Sequence, residues 1–442
     1  MDVSVRPDRA SGLTLRSADS IAAAAAPPEV RKGTAPPGAV KRIPVDRLLP
    51  GMYLHQVCGS WMDHPFWRSS FLLREADIAK IAECGIAEAW IDTSRGLDVA
   101  GGESQGEARA QAERELVFAA TSATPLLDLP EPKGSAWEDA AAVCERSKKA
   151  VARIFSEVRL GRAVDPALCL PVVQEISDSL LRDPSALISL SRLKARDDYT
   201  YMHSVAVCGL MVALSRQLGF TPSQVRQAGL AGMLHDVGKA LTPLEILNKP
   251  DKLSDEEWTV MRSHPGLGHA LLQEGDAVDA MALDVCLRHH EKVDGTGYPD
   301  GLSADRISIF AKMGAVCDVY DAVTSERPYK VGWDPGEALR HMAQWKGHFD
   351  PRVFQAFVKT VGIYPVGSLV RMQSGHLAVV TSQGEGNLLL PTVKVFYDTA
   401  RRERIPPFEV DLASAGGDKI TNVESPSTWK LSKLEQLWMP AR

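Results

Sequence analysis

Between His203 and Lys330, histidines and aspartates interrupt sequence that is otherwise apolar and helical in character. The densest pieces are His235-Asp236-Val237-Gly238-Lys239, His289-His290-Glu291, Gly295-Thr296-Gly297-Tyr298-Pro299 and Asp318-Val319-Tyr320-Asp321. Helix interiors rarely carry so many ligand-type side chains unless something binds them, because an unpaired buried imidazole or carboxylate is costly. Any fold for this chain has to bring these positions to a common point.

Taken alone, each piece is unremarkable in chemistry. A single His-Asp pair arises by chance, a His-His pair suits a solvated helix end, and 295–299 reads as a turn. Together and in order they form a constellation: His203, His235, Asp236, His264, His289, His290 and Asp318. The ligands recur roughly every 25–32 residues, about one helical hairpin apart, so folding up the hairpins delivers one or two ligands from each. Imidazole with carboxylate suits Fe, Mn, Zn or similar divalent ions, not a thiolate structural zinc site. His289 and His290 point about 100° apart on a helix and can face two different ions. Asp236 has two oxygens to share and is the natural bridge. Two such ions clamp a hydroxide and a phosphodiester, and the attack on phosphorus is eased by the metal charge. Lys239, one turn beyond Asp236, is placed to hold a phosphate oxygen. Asp236 and Lys239 are thus the candidate catalytic pair.

Composition limits the partners. The net charge of −6 argues against a nucleic-acid polymer, which asks for a basic footprint, but leaves room for a small anion held by local cations. The 442 residues, 45% hydrophobic and 24% charged, point to two or three globular domains. Seven scattered cysteines form no CxxC pair, which favours buried, reduced thiols. The apolar patch at 21–26 is too short for a signal core or a membrane span, and none follows. The expected compartment is the cytoplasm.

In order, residues 1–40 read as a disordered tail and 41–99 as a small α+β module. In that module Trp61, Phe66 and Trp67 are expected to pack, and Asp63-His64 is a loop pair without a ligand cluster around it. Residues 100–136 are linker-like, with a helix at 107–119 between two flexible ends. Residues 137–184 form a helical coupling segment, opened by a capping box from Ser135 to Glu138. An all-α domain occupies 185–363, with helix starts marked by Thr221, Ser254, Asp334 and Asp350. A β-rich appendage spans 364–430 and a polar tail 431–442. The fold class is multidomain: a helical core, a small α+β module before it and a small β-rich unit behind.

The ordered motifs resemble the HD-GYP branch of the HD metallohydrolase superfamily, similar to cyclic di-GMP phosphodiesterases. The matching pieces are 199–204, 235–239, His264-Pro265, 289–291, 294–299 and 318–322, within roughly residues 185–360. Residues 41–99 resemble the uncharacterised module that often precedes such domains. The resemblance implies hydrolysis of cyclic di-GMP to pGpG or GMP at a two-metal site. Iron is the favoured metal and manganese the alternative. It also implies ligand contacts from Arg327 and Lys330, joining Lys239, Tyr298, Gly297 and Asp321. A diguanylate cyclase docking on the 295–299 loop is a further implied partner, and a homodimer is left open. Tyr199 stands where some relatives carry a glutamate for a third ion, which narrows the expectation to two. Ala206 replaces the usual asparagine after His203. That departure keeps open a receptor with little turnover, beside a hydrolase of another nucleotide.

Overall fold

The computed structural model describes residues 30–32, 40–59, 70–122, 136–192, 199–249, 253–275, 278–325, 332–384, 386–414 and 418–439. The Trp61, Phe66 and Trp67 cluster, the Asp63-His64 pair and Ser135 lie outside them, as do Arg327 and Lys330.

The N-terminal module contains β1 (Val30–Lys32), β2 (Val40–Pro44), β3 (Tyr53–Val57), β4 (Phe71–Leu72), α1 (Glu75–Glu83), β5 (Glu88–Asp92), β6 (Leu97–Val99) and β7 (Glu103–Ser104). Five strands form an antiparallel sheet in the order β4-β3-β5-β2-β7, and β1 pairs with β6. Ile43, Leu54, Ala89 and Ile91 from the sheet close over Ile81 of α1. Gly85 ends α1 at φ 66°, a left-handed turn that favours glycine. Arg42, only 3% exposed, pairs with Glu88 and Glu103 and donates to the Gln344 carbonyl at 2.6 Å, which ties this sheet to the helical core.

Residues 100–136 are more than the expected linker. Ser104 and Glu107 form a capping box that starts α2 (Gln105–Thr121). Its buried positions, Ala108, Ala112, Leu116 and Ala119, recur at helical spacing and line one face. Leu116 and Ala119 belong to the main core.

The helical part continues with α3 (Ala136–Arg159), α4 (Leu170–Arg182), α5 (Pro184–Arg192), α6 (Tyr199–Gln217), α7 (Pro222–Leu234), α8 (Leu244–Leu247), α9 (Asp255–Arg262), α10 (His264–Gln273), α11 (Ala280–Arg288), α12 (Ile309–Thr324), α13 (Pro335–Ala343) and α14 (Pro351–Val361). Every residue of α6 from Met202 to Ser215 is buried, as is every residue of α12 from Met313 to Thr324. Helices apolar on all sides belong at the centre of a bundle. The α6–α7 crossing is close because Gly232 has no side chain; a Cβ there would meet the Val207 carbonyl oxygen at 2.9 Å. The expected caps at Thr221, Ser254, Asp334 and Asp350 all accept backbone N–H bonds at their helix starts.

The C-terminal sheet holds β8 (Leu369–Met372), β9 (His376–Ser382), β10 (Thr392–Asp398), β11 (Glu403–Asp411) and β12 (Ile420–Val423), in the antiparallel order β11-β10-β9-β8-β12. Strand alternation sends side chains two ways. Ala378 and Val380 join the helical core, while Leu377 and Val379 meet Leu434 and Trp438. Those last two residues flank or lie in α15 (Glu435–Trp438). The expected polar tail is therefore in part a packed cover for the sheet. No helix among the described residues is long and apolar enough to cross a membrane.

Candidate active site

The local folds deliver the ligands one helix at a time. His203 sits on α6, and His235 and Asp236 follow the end of α7. His264 opens α10, His289 and His290 follow α11, and Asp318 lies on α12. All seven are buried, none more than 8% exposed. The structure brings them into one cluster.

Asp236 divides that cluster in two. Its Oδ2 lies 3.4 Å from both His203 Nε2 and His235 Nε2. Its Oδ1 lies 3.2 Å from His264 Nε2 and 3.7 Å from His289 Nε2. Asp318 Oδ1 joins the first half, 2.9 Å from His203 Nε2 and 3.8 Å from His235 Nε2. His290 joins the second, within a group of ligand atoms that lie no more than 4.8 Å apart.

The outer nitrogens fix which atoms face inward. His235 Nδ1 donates to the Gly232 carbonyl at 2.7 Å, His264 Nδ1 to Met261 at 2.8 Å and His289 Nδ1 to Cys286 at 3.0 Å. A carbonyl can only accept, so Nδ1 carries a proton in each of these rings and Nε2 is the atom that faces Asp236. His203 Nδ1 does the same toward Asp321 Oδ2 at 2.6 Å. Nε2 atoms of His203 and His235 are then 3.3 Å apart, as are those of His264 and His289. On the neutral His264 and His289 rings, lone pairs this close repel without a cation between them.

The charges point the same way. Burial would raise the Asp236 carboxyl, but Lys239 and His235 outweigh it and hold it well below the usual range. Burial acts likewise on Asp318, and His203 and His235 outweigh it there. His235 is pulled down by burial and up by Asp236 and Asp318, and ends at about 10. Burial and then the neighbouring His235 push His289 down to about 3, and burial lowers His264 and His290 too. Asp236 and Asp318 thus stay ionised deep in the protein, beside His264, His289 and His290, whose imidazoles burial keeps neutral. The buried atoms Asp236 Oδ1 and Asp318 Oδ1 accept no hydrogen bond among the described residues. Orphaned carboxylate oxygens beside converging imidazoles fit divalent cations.

The other expected residues divide differently. Lys239 Nζ donates to Asp236 Oδ2 at 2.5 Å and keeps 20% of its side chain exposed, so it links the site to its mouth. Asp321, expected at the ligand, lies instead behind His203; it is 1% exposed and orients that ring. Its i, i+3 spacing from Asp318 places both on one face of α12, a signal present in the sequence. Gly297 also has a different task. A Cβ there would fall 2.4 Å from Lys292 N and 2.5 Å from Glu291 Cα, so this glycine allows the loop to lie on the backbone after His290. Tyr298 stacks on His290, ring centroids 4.6 Å apart at 17°. Three contacts were not foreseen from sequence. Tyr199 stacks on His203 at 5.7 Å and 12°, Arg262 lies 4.2 Å from the Tyr298 ring centre, and Glu291 accepts Asp300 N and Leu302 N at 2.7 and 2.9 Å.

A helical bundle that focuses histidines on a buried aspartate defines an HD-type hydrolase. Residues 178–353 match a family model described as an HD domain, and residues 40–169 match one described as a domain of unknown function, DUF3391. A cyclic di-GMP phosphodiesterase of Pseudomonas aeruginosa is 50% identical over 406 residues, covering 90% of this chain and 95% of that protein. The cyclic di-GMP phosphodiesterase response regulator RpfG of Xanthomonas campestris is 38% identical over 40% of this chain and 48% of its own length. A 3'3'-cGAMP-specific phosphodiesterase of Vibrio cholerae is 33% identical over 38% of this chain and 32% of its own length. The chain belongs to the HD-GYP family of cyclic di-GMP phosphodiesterases, with a DUF3391 module in front of the HD domain.

Proposed function

We propose that this enzyme hydrolyses cyclic di-GMP to pGpG, GMP or both, at a site for two divalent ions, iron in preference to manganese. The observation that carries the reading is the division of Asp236: one oxygen faces His203 and His235, the other His264 and His289. His203, His235, Asp236 and Asp318 would hold one ion, and Asp236, His264, His289 and His290 the other. The ions would supply Lewis acidity and a water activated at neutral pH.

The chain's own residues do the rest. Nδ1 bonds lock four imidazoles with Nε2 inward, and Asp321 holds His203 from behind. Lys239 sets an ammonium beside Asp236, where negative charge grows on the phosphoryl oxygens. Arg327 and Lys330 hold the ligand phosphates, and Tyr298 borders the mouth. Thr296 and Pro299, the exposed residues of the loop, are open to a diguanylate cyclase partner. The absence of an apolar spanning helix among the described residues accords with a cytoplasmic enzyme.

The test is turnover by purified protein reconstituted anaerobically with Fe(II) or Mn(II), against cyclic di-GMP, 3'3'-cGAMP and mononucleotide substrates. Cyclic di-GMP is expected to be preferred. Preference for a mononucleotide would overturn the assignment, and tight binding without turnover would make the protein a receptor.

A further inference from the structure

The two halves of the site are braced differently. The His203–His235–Asp318 half stands on α6, α7 and α12, and α7 and α12 both pack on the buried α6. The other half ends in His290, whose ring has no hydrogen bond among the described residues. Its ring lies among His289, Tyr298 and His264, at 4.1, 4.6 and 5.1 Å between centroids, and of these Tyr298 sits on the loop and lies against the Arg262 guanidinium. Arg262 is the last residue of α9, two positions before His264.

The N-terminal module grips both sides of that contact. Lys80 of α1 pairs with Asp255 at the start of α9. Gly85, at the end of α1, abuts the 295–299 loop: a Cβ there would fall 2.9 Å from the Thr296 carbonyl oxygen and 3.1 Å from Thr296 Cβ. Asp294 pins Thr296 from the other side, accepting its backbone N–H at 3.0 Å and its hydroxyl at 2.7 Å. A small open cleft lies along this seam, lined by Glu88, Lys292, Asp294, Thr296 and Lys346 among others. The seam thus touches the two segments carrying Arg262 and Tyr298.

We propose that the N-terminal module sets the hold on the ion in the His264–His289–His290 half, through Thr296 and the Arg262–Tyr298–His290 contacts. Arg262 and Tyr298 are positioning residues, and the α1 end is the point where the module acts. The inference rests on the two-ion reading above. A shift of the module moves the loop, tilts Tyr298 and frees the His290 ring, which weakens one ion and leaves the other.

The experiment is metal release from the full-length protein loaded with Mn(II), measured as ions per chain against graded chelator, for wild type, Arg262→Ala, Arg262→Lys and Gly85→Ala. Wild type is expected to hold two ions. Arg262→Ala and Gly85→Ala are expected to bind one of them about tenfold more weakly and the other as before. Arg262→Lys, which keeps a cation near the ring, is expected to recover part of the loss. Circular dichroism confirms that each variant is folded. Wild-type release from both alanine variants would overturn the proposal, as would equal weakening of both ions. Fewer than two ions in wild type would instead strike the two-ion reading itself, and this inference with it.

Discussion

Asp321 shows what one residue behind a ligand contributes. Its carboxylate receives the Nδ1 proton of His203, so it fixes both the ring and its tautomer. Asp321→Asn can still accept at that position but removes the charge. Metal affinity is expected to fall about 10- to 100-fold while the melting temperature stays near that of wild type; titration with Mn(II) checks this. Gly297→Ala should act otherwise, because its Cβ would collide with backbone rather than with a mobile side chain. Loss of turnover with an altered Tyr298–His290 geometry is expected, and retention of full activity would refute the packing role. The seven clustered ligands were readable in sequence because imidazoles and carboxylates are chemically conspicuous in apolar helices. The contact of Asp321 with His203 and the packing of Gly297 on the backbone after His290 were not legible, because residue type does not reveal which side of a ligand a group occupies.

Among the elements, those with local signals were legible and those held by tertiary contact were not. The helix starts at Thr221, Ser254, Asp334 and Asp350 follow from capping chemistry alone. In contrast, α2 buries mostly alanines, which give little contrast with its exposed face, so its packing on the core was invisible. The same holds for α15, a single turn made significant by Leu434 and Trp438 against the sheet. Trp438 also meets Trp137 of α3 at 5.8 Å. Trp438→Ala is expected to cost about 3 kcal/mol, read by urea unfolding. Asp334 does two jobs. One oxygen accepts Gly336 N at 2.9 Å to cap α13, and the other accepts Leu369 N at 2.9 Å to hold β8. Asp334→Ala should therefore destabilise by at least about 2 kcal/mol, more than loss of a cap alone.

Across the whole molecule, the helical part shares an apolar core with the C-terminal sheet and is tied to the N-terminal sheet by polar contacts. Val370, Met372, Ala378 and Val380 of the C-terminal sheet share a core cluster with α6, α12 and α14, so that sheet is part of the scaffold. The N-terminal module has a separate core, and among its contacts to the enzyme are Arg42, Cys58, Lys80, Gly85 and the Glu103–Lys346 pair. This division fits a rigid catalytic body with a module able to shift against it. The central proposal is that catalysis depends on divalent ions that Asp236 would help to hold. It is tested most directly by turnover of cyclic di-GMP, under anaerobic Fe(II) or Mn(II) reconstitution, by wild type and the His235→Ala, Asp236→Ala double variant. Hydrolysis by wild type and none by the folded double variant is the expected result; unchanged turnover in the double variant would contradict it.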